Sequence, residues 1–306
     1  MRGILRLAAI VCLLLVNVSG VEGQTAVPEG SPTAPPKLAL LVYQKFQFGK
    51  ASERQKLEVA VSHACDRLAV PNSWIDLESL TGPPEALFFD PFDSFEQTEK
   101  AFSIWGQIYP THPELARLQQ QLETTLVSER TVIAVRRDDL GYRAMNIDLS
   151  KARFLRVLEV RLQPGHENDF TEAFKILGAA YEKIDSDTPW MVYQVNVGMP
   201  SPSFLIFVPM SALRQNDDLL SRGKSLRDAE GEEAAERMQQ IAREDYASTE
   251  SNLYYVSAET SHVSKEFAAG DPDFWTPKKQ ANTKSEESAP AAKKSTSKSG
   301  AAKAKP

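Results

Sequence analysis

Cysteine is scarce in this chain of 306 residues, which contains only Cys12 and Cys65. Cys12 lies in an N-terminal apolar run that we interpret below as a cleaved signal peptide. The mature chain then keeps a single cysteine, so an intrachain disulfide is excluded. Cys65 falls among the apolar positions of a predicted helix, where cysteine usually acts as a small buried hydrophobe rather than as a nucleophile.

Motifs that would name a reaction are also missing. The sequence contains no phosphate-binding glycine-rich loop and no G-x-S-x-G nucleophile motif. It contains no local pair of metal-binding histidines, because the four histidines are at least 49 residues apart: His63, His112, His166 and His262. A zinc or iron site would need ligands from distant segments, so we expect neither a metal nor a cofactor.

The body of the chain has no excess of positive charge. Residues 24–277 carry 25 Lys and Arg against 38 Asp and Glu, which argues against nucleic acid as a partner of the folded part. Residues 278–306 carry 8 Lys against 2 Glu and have no aromatic residue, so we predict a disordered tail. Two roles for this tail remain open, a cationic arm for an anionic surface and a solubilising extension.

No apolar run is long enough to span a membrane as a helix, which takes about 20 residues. The run Leu7–Val16 follows Arg2 and Arg6 and is followed by small residues. This pattern predicts a secretory signal peptide over residues 1–23 and a periplasmic or secreted protein. Residues 24–36 are rich in Pro, Gly, Ser and Thr, which indicates a flexible linker.

The most informative pattern is an internal repeat. At a shift of 116 residues the second half matches the first at Gly49/Gly165, Trp74/Trp190 and Gly82/Gly198. Each half has the order strand, helix, strand, strand, helix, strand. This order predicts an α+β fold of two ferredoxin-like βαββαβ repeats, over 37–137 and 153–260. A linker over 138–152 joins them, and a C-terminal extension over 261–277 follows.

The predicted elements come from hydrophobic periodicity. Strands are expected at Leu38–Phe46, from Trp74, at Leu87–Asp90, Thr131–Arg136, Phe154–Leu162, Trp190–Val197, Phe204–Val208 and Leu253–Ala258. The first helix is expected to start with a Ser52 cap and to bury Leu57, Val61, Ala64 and Leu68. Each sheet would leave one apolar face bare, so we predict that the two sheets pack together as an intramolecular α+β barrel.

Two segments of the second half carry a resemblance to a known fold family. The run FLRVLEVRLQPGHE from Phe154, followed by WMVYQVNVG from Trp190, resembles the dimeric α+β barrel superfamily. The chain is similar to NIPSNAP-like and antibiotic-biosynthesis-monooxygenase-like domains, more closely over 153–258 than over 37–137. The resemblance implies the fold and leaves the activity open, because this superfamily hosts many unrelated functions.

The resemblance also suggests residue types for a site. Cofactor-free monooxygenases of the superfamily imply an amide, an indole and an acid around the substrate, and Asn196, Trp190 and Glu159 are of those types. Haem-binding relatives place a histidine on a helix beside the barrel. His63 is on a predicted helix, but it lies next to the apolar stripe, and the G-x-x-D-G run of dye-decolourising peroxidases is missing.

The inner face of the predicted barrel supplies the candidate site, because side chains alternate along a strand. The candidate ligand-binding residues are Tyr43, Lys45, Trp74, Glu159, Arg161, Trp190, Gln194 and Asn196. Buried charges are costly unless they are paired or hydrated. A ligand pocket would account for these charges, and so would Glu159–Arg161 and Lys45–Asp76 pairs across strands. A register shift of one residue would reverse every assignment.

Three functions remain open on this sequence. The first is a secreted module that binds a small, partly aromatic ligand in the barrel between the two repeats. The second is a cofactor-independent monooxygenase or isomerase, which a carboxylate with a strongly shifted pKa in a pocket would favour. The third is a non-catalytic envelope scaffolding protein, which a barrel filled with side chains would favour. The chain is expected to be a monomer with two pseudo-equivalent halves, or a homodimer.

Overall fold

The structure is a computed structural model that describes residues 31–221 and 223–276. The predicted signal peptide, residues 24–30 of the predicted linker and the tail over 278–306 lie outside the described residues. Within the described part of the chain, no helix is both long and apolar enough to cross a membrane.

Eight antiparallel strands close into one barrel. In chain order they are β1 Leu38–Phe46, β2 Trp74–Ser79, β3 Glu85–Phe92, β4 Leu126–Arg136, β5 Phe154–Leu162, β6 Met191–Val197, β7 Ser203–Met210 and β8 Tyr246–His262. Around the barrel the order is β1-β3-β2-β8-β5-β7-β6-β4, with β4 pairing again with β1. The protein is therefore a mixed α+β protein built on a closed barrel, as the two bare sheet faces predict.

The two halves of the barrel have the same internal strand order. The first half runs β4-β1-β3-β2 and the second runs β8-β5-β7-β6. The halves meet at two antiparallel pairings, β2 with β8 and β4 with β6. These pairings provide hydrogen-bond partners for the backbone of the outer strands of both halves. The barrel formed by the eight described strands is therefore closed and has no free sheet edge.

Helices lie outside the barrel. The longer ones are α1 Ala51–Leu68, α2 Phe95–Thr111, α3 Pro113–Glu123, α4 Glu167–Lys183, α5 Gln215–Ser221, α6 Gly223–Glu230 and α7 Glu232–Glu244, and the short α8 Lys265–Ala268 and α9 Pro272–Trp275 follow β8. The first half packs α1 and α3 against the sheet, and the second half packs α4 against it. Helices α5, α6 and α7 form the connection between β7 and β8.

Helix α1 differs from its prediction. It begins at Ala51 with Lys50 as the N-cap, so the expected Ser52 cap is wrong. Its fully buried positions include Arg54 and Glu58, whereas the expected core residue Leu68 is 38% exposed. The reason is a charged partner on the sheet: β2 presents carboxylates to this helix, and they bind Arg54, as described below. Cys65 is buried, as expected.

Strands β4 and β8 are longer than predicted. Both gain residues at their start, over 126–130 and over 246–252. The added residues are mostly polar and exposed, so they lack the apolar alternation by which a strand is recognised in a sequence. These two strand starts form one end of the barrel.

The interior of the barrel is filled with side chains. Phe89, Tyr193 and Phe207 pack edge to face at its centre, with ring centroids 5.6–6.0 Å apart. The linker between the halves and the C-terminal extension close one end, where the indole Nε1 of Trp275 donates to the Ser150 carbonyl at 2.9 Å. A void of about 10 Å³ remains at this end, and it is lined only by apolar residues. This void has no space for a ligand larger than a water molecule.

Candidate functional site

The opposite end of the barrel is polar and open to solvent, and we call it the barrel mouth. Strands β1 and β5 lie on opposite sides of the barrel, four antiparallel pairings apart, so they run in the same direction. Tyr43 of β1 and Glu159 of β5 are therefore at the same level near the mouth. Register places Arg130 beside Tyr43 and Glu250 beside Glu159, on the same inner face.

Four side chains form the floor of the mouth: Tyr43, Glu85, Glu159 and Tyr254. Tyr43, Glu85 and Tyr254 are buried, and Glu159 is half-buried. The Tyr254 hydroxyl donates to Glu85 Oε1 at 2.8 Å. The Tyr43 hydroxyl is also buried, and it lies beside the Glu159 carboxylate without forming a hydrogen bond of normal geometry among the described residues. A buried polar group without a partner is uncommon in folded proteins and needs an explanation.

Burial changes the acidity of this floor. It raises the pKa of Glu159, and repulsion from Glu250 and Glu85 raises it further, while Tyr43 and Arg130 oppose the rise. Burial likewise raises the pKa of Glu85, and the hydrogen bond from Tyr254 opposes it. The pKa of both tyrosines is raised by burial and by these carboxylates, so the two hydroxyl groups stay protonated.

The rim of the mouth consists of four exposed charged residues: Lys45, Arg130, Arg161 and Glu250. The Lys45 ammonium lies 3.9 Å from Glu85 Oε2. The rim thus surrounds two carboxylates and two hydroxyl groups with three cations and one further carboxylate.

Four of the eight predicted site residues lie at this mouth. Tyr43 and Glu159 are on the floor, and Lys45 and Arg161 are on the rim, as alternation along β1 and β5 predicts. The predicted Lys45–Asp76 pair is wrong: Lys45 faces Glu85, and Asp76 faces Arg54 on the outer side of the barrel. The neighbour of the Glu159 carboxylate is the Tyr43 hydroxyl.

The predicted inner face of β6 is wrong by one residue. Trp190, Gln194 and Asn196 point out of the barrel. Their neighbours point in, so the inward set is Met191, Tyr193 and Val195. Trp190 packs in the outer core and donates to the Leu140 carbonyl at 2.9 Å. Gln194 accepts a hydrogen bond from Arg137, and Asn196 is exposed. β6 has one apolar face and one face that carries Gln194 and Asn196. The prediction assigned the polar face to a ligand pocket, whereas the apolar face fills the barrel interior.

Trp74 is also outside the barrel. Its indole donates to the Thr260 carbonyl at 2.9 Å, and its ring packs against Trp105 at 6.2 Å between centroids. Asp76 and Glu78 share its face of β2, and this face contacts α1 and not the barrel interior. Trp74, Trp190, Gln194 and Asn196 are therefore not brought together with the mouth.

A second polar cluster, which the sequence analysis missed, lies between α1 and β2. We call it the charged interface, and it comprises Arg54, Glu58, Asp76 and Glu78. Arg54 Nη1 is 2.5 Å from Glu78 Oε1, and Nη2 is 3.6 Å from Glu58 and 3.7 Å from Asp76. Burial raises the pKa of Glu58 to about 7. The Arg54/Glu58 spacing of four residues and the alternation of Asp76 and Glu78 were the available signals.

A third cluster has the composition of a metal site. Within the described residues, His166, Asp169 and Asp245 are the single group of three or more potential ligands whose donor atoms lie close enough together to share one ion. The cluster joins segments 76 residues apart, which local spacing in the sequence could not reveal.

Comparison with known proteins gives no family. No family model matches the chain, and no curated protein matches it. An anthrone oxidase-like protein of known structure is 16% identical, with 72% of this chain and 91% of that chain covered and a TM-score of 0.48. A heme-binding protein from Thermus thermophilus is 8% identical, with coverage of 74% and 96% and a TM-score of 0.41.

A chlorite dismutase from Candidatus Nitrospira defluvii, solved with imidazole, is 11% identical to this chain. The alignment covers 72% of this chain and 91% of that chain, with a TM-score of 0.42. Likenesses at this level do not identify a function.

Proposed function

We propose that the protein is a binding module that takes a small hydrogen-bonding ligand at the barrel mouth. The observation that carries this proposal is the buried Tyr43 hydroxyl, which lies beside the Glu159 carboxylate but forms no hydrogen bond of normal geometry among the described residues. A ligand that accepts from this hydroxyl would complete its hydrogen bonding. The filled interior moves the predicted ligand from the barrel centre to the mouth.

The charges around the mouth define the class of ligand. The two floor carboxylates accept hydrogen bonds, so they favour a ligand with a hydroxyl or amine group at its inner end. The rim cations Lys45, Arg130 and Arg161 favour an acidic group or an aromatic face at its outer end. A small hydroxylated aromatic acid has all of these features, and it agrees with the partly aromatic ligand expected from the sequence.

The test uses 4-hydroxybenzoate as the probe, with benzoate as the matched probe that lacks the inner donor. Calorimetric titration should show tighter binding of 4-hydroxybenzoate. Tyr43→Phe and Glu159→Gln should each weaken it about tenfold, or roughly 1.4 kcal/mol. Tyr246→Phe, which changes a tyrosine in the outer core, should leave binding unchanged. Equal affinity for the two probes in the wild type, or unaltered binding in both mouth variants, would contradict the proposal.

A catalytic role at the same mouth is the second candidate. Its specific support is the raised pKa of Glu159 beside a protonated tyrosine, since a carboxylate that titrates closer to neutral pH is suited to general acid–base work. Such a pair fits a cofactor-independent isomerase or monooxygenase. Conversion of a bound hydroxyaromatic acid, followed by mass spectrometry and lost in Glu159→Gln, would favour the enzyme over the binding module.

The remaining expectations about origin and location stay part of this proposal. The common strand order of the two halves supports a tandem duplication of a ferredoxin-like unit related to NIPSNAP-like domains. Export to the periplasm or the cell exterior, and an anionic surface as partner of the Lys-rich tail, rest on the sequence alone. Because one chain closes the barrel, a monomer is sufficient for the proposed site.

A further inference from the structure

Three side chains converge where α4 begins and α7 ends. His166 is the N-cap residue of α4, Asp169 is in its first turn, and Asp245 is the C-cap residue of α7. His166 Nδ1 lies 3.0 Å from Asp169 Oδ2 and 3.1 Å from Asp245 Oδ1. All three donor atoms are within 4.8 Å of one another. One imidazole nitrogen therefore faces two carboxylates.

The equivalent place in the first half is built differently. At the shift of 116 residues, His166 and Asp169 correspond to Lys50 and Glu53, whose ammonium and carboxylate are 2.6 Å apart. Phe46 is paired with Leu126 in the first half, and its equivalent Leu162 is paired with Tyr246 in the second half. The residue before Leu126, Thr125, is therefore the first-half equivalent of Asp245. The first half thus has one carboxylate and its own cation. The second half has two carboxylates around a metal-ligating imidazole.

The surroundings of the second-half cluster are acidic and organised. Arg237 Nη2 donates to Asp169 Oδ1 at 2.7 Å and to Glu172 at 2.9 Å. Arg237 thereby holds one oxygen of Asp169 and leaves Oδ2 facing His166, as an outer-shell partner does in metal sites. The Asp245 side chain is only 7% exposed, and its carboxylate faces the His166 imidazole. Three carboxylates then face one permanent cation, so a divalent ion would neutralise the cluster.

We propose that His166, Asp169 and Asp245 form a zinc site with the fourth position open to water. At bond lengths of about 2.0–2.2 Å, two ligands of a tetrahedral zinc ion are roughly 3.4 Å apart. The two distances from His166 Nδ1 are shorter than this by only a few tenths of an ångström. A neutral imidazole can donate one proton from Nδ1, so it can form a hydrogen bond with only one of the two carboxylates. A metal ion bound between the three side chains would interact with both carboxylates. The His166 side chain is 40% exposed, so the ion has access from solvent.

The experiment is a calorimetric titration of the chelator-treated full chain with Zn²⁺ alone, repeated with Co²⁺ to record its visible spectrum. We expect one ion per chain and the absorption of a four-coordinate cobalt ion. His166→Lys reproduces the first-half arrangement, so it should keep the fold and weaken zinc binding by at least about 100-fold. Glu172→Gln, which removes a carboxylate outside the ligand set, should retain the site.

Two results would overturn the proposal: no zinc bound by the wild type at about 100 μM, or undiminished binding in His166→Lys. If His166→Lys does not fold, Asp245→Asn takes its place, and a cobalt spectrum identical to that of the wild type would overturn the proposal equally. Tyr43→Phe must leave zinc binding unchanged, because the zinc site shares no residue with the mouth floor.

Discussion

The two halves of the barrel pack their first helices on the sheet with opposite chemistry. In the first half, α1 and β2 bury the charged interface around Arg54. In the second half, the positions 116 residues later are apolar or uncharged. The equivalent residues are Arg54/Phe170, Glu58/Phe174, Asp76/Val192 and Glu78/Gln194. The same arrangement of helix on sheet is therefore compatible with either a charged or an aromatic contact layer.

The aromatic layer avoids the cost of burying charged groups. Phe170 stacks on Phe204 at 4.2 Å and contacts Phe174 at 4.5 Å between ring centroids. Arg54 has aromatic neighbours as well, since its guanidinium lies 5.3 Å from the Phe46 ring and 5.6 Å from the Phe88 ring. It must also compensate three buried carboxylates, and both oxygens of Asp76 have no hydrogen-bond partner in the described residues. Buried ion pairs often contribute no more stability than apolar residues of similar volume.

The largest effect should come from removing the guanidinium. Arg54→Met leaves Glu58, Asp76 and Glu78 buried without a cation, so we expect a loss of about 3–5 kcal/mol in the free energy of unfolding near neutral pH. Urea denaturation measures it. The loss should shrink at acidic pH, because protonated carboxyl groups no longer need the cation.

Transplanting the second-half layer is the matched comparison. The combined change Arg54→Phe, Glu58→Phe, Asp76→Val and Glu78→Gln removes all four charges together and reproduces the second-half residues, so it should be neutral or should stabilise by about 1–4 kcal/mol. If this quadruple variant is as unstable as Arg54→Met, the charged interface contributes packing that the aromatic layer cannot replace, and the comparison between the halves fails.

The second effect is a pH dependence of stability that the charged interface should show and the aromatic layer should not. Burial raises the pKa of Glu58 from 4.5 to about 7, with Arg54 opposing the rise. Between these values the folded protein holds a proton that the unfolded chain releases. Stability should therefore fall as pH rises, by up to about 1.4 kcal/mol per pH unit. Across this window the total is roughly 3 kcal/mol.

Glu58→Gln should reduce the slope by the share of this one proton when unfolding free energies are measured from pH 4.5 to pH 8. The remainder is expected from other buried carboxyl groups, such as Asp90, whose pKa burial raises to about 8. The control is Glu172→Gln, which changes a carboxylate on the surface of the second half and should keep the wild-type slope. A Glu58→Gln profile parallel to that of the wild type would show that Glu58 is ionised throughout, paired with Arg54.

The first strand of each half follows directly from the sequence, but the site does so only partly. Leu38–Phe46 and Phe154–Leu162 are observed as predicted, because long apolar strands bounded by turns give a clear pattern. Tyr43 and Glu159 meet because they are equivalent positions on opposite strands of a closed barrel. Glu85 and Tyr254 reach the same floor from other strands, and only strand register in three dimensions brings them there.

The missed features have a common physical cause. In β6 the polar residues Gln194 and Asn196 were assigned to a ligand pocket, but the apolar face of this strand fills the barrel interior and the polar face points outward. In α1 the predicted residues Leu57, Val61 and Ala64 do pack in the core, but Arg54 and Glu58 are buried as well. The apolar stripe therefore shows only part of the buried face. In both cases the buried face depends on the residues of the neighbouring element that pack against it, and these residues are distant in the sequence.

The smallest expected effect comes from a substitution in the aromatic layer of the second half. Phe170→Leu keeps an apolar side chain but loses part of the ring stack on Phe204, so we expect a loss of about 1–2 kcal/mol. The loss should be the same from pH 4.5 to pH 8, because no titratable residue of the charged-interface type occupies this layer. Chemical denaturation at both pH values measures it. If the loss in unfolding free energy caused by Phe170→Leu varies with pH, the two helix–sheet interfaces are coupled through the barrel. The contact layers of the two halves would then not be energetically independent.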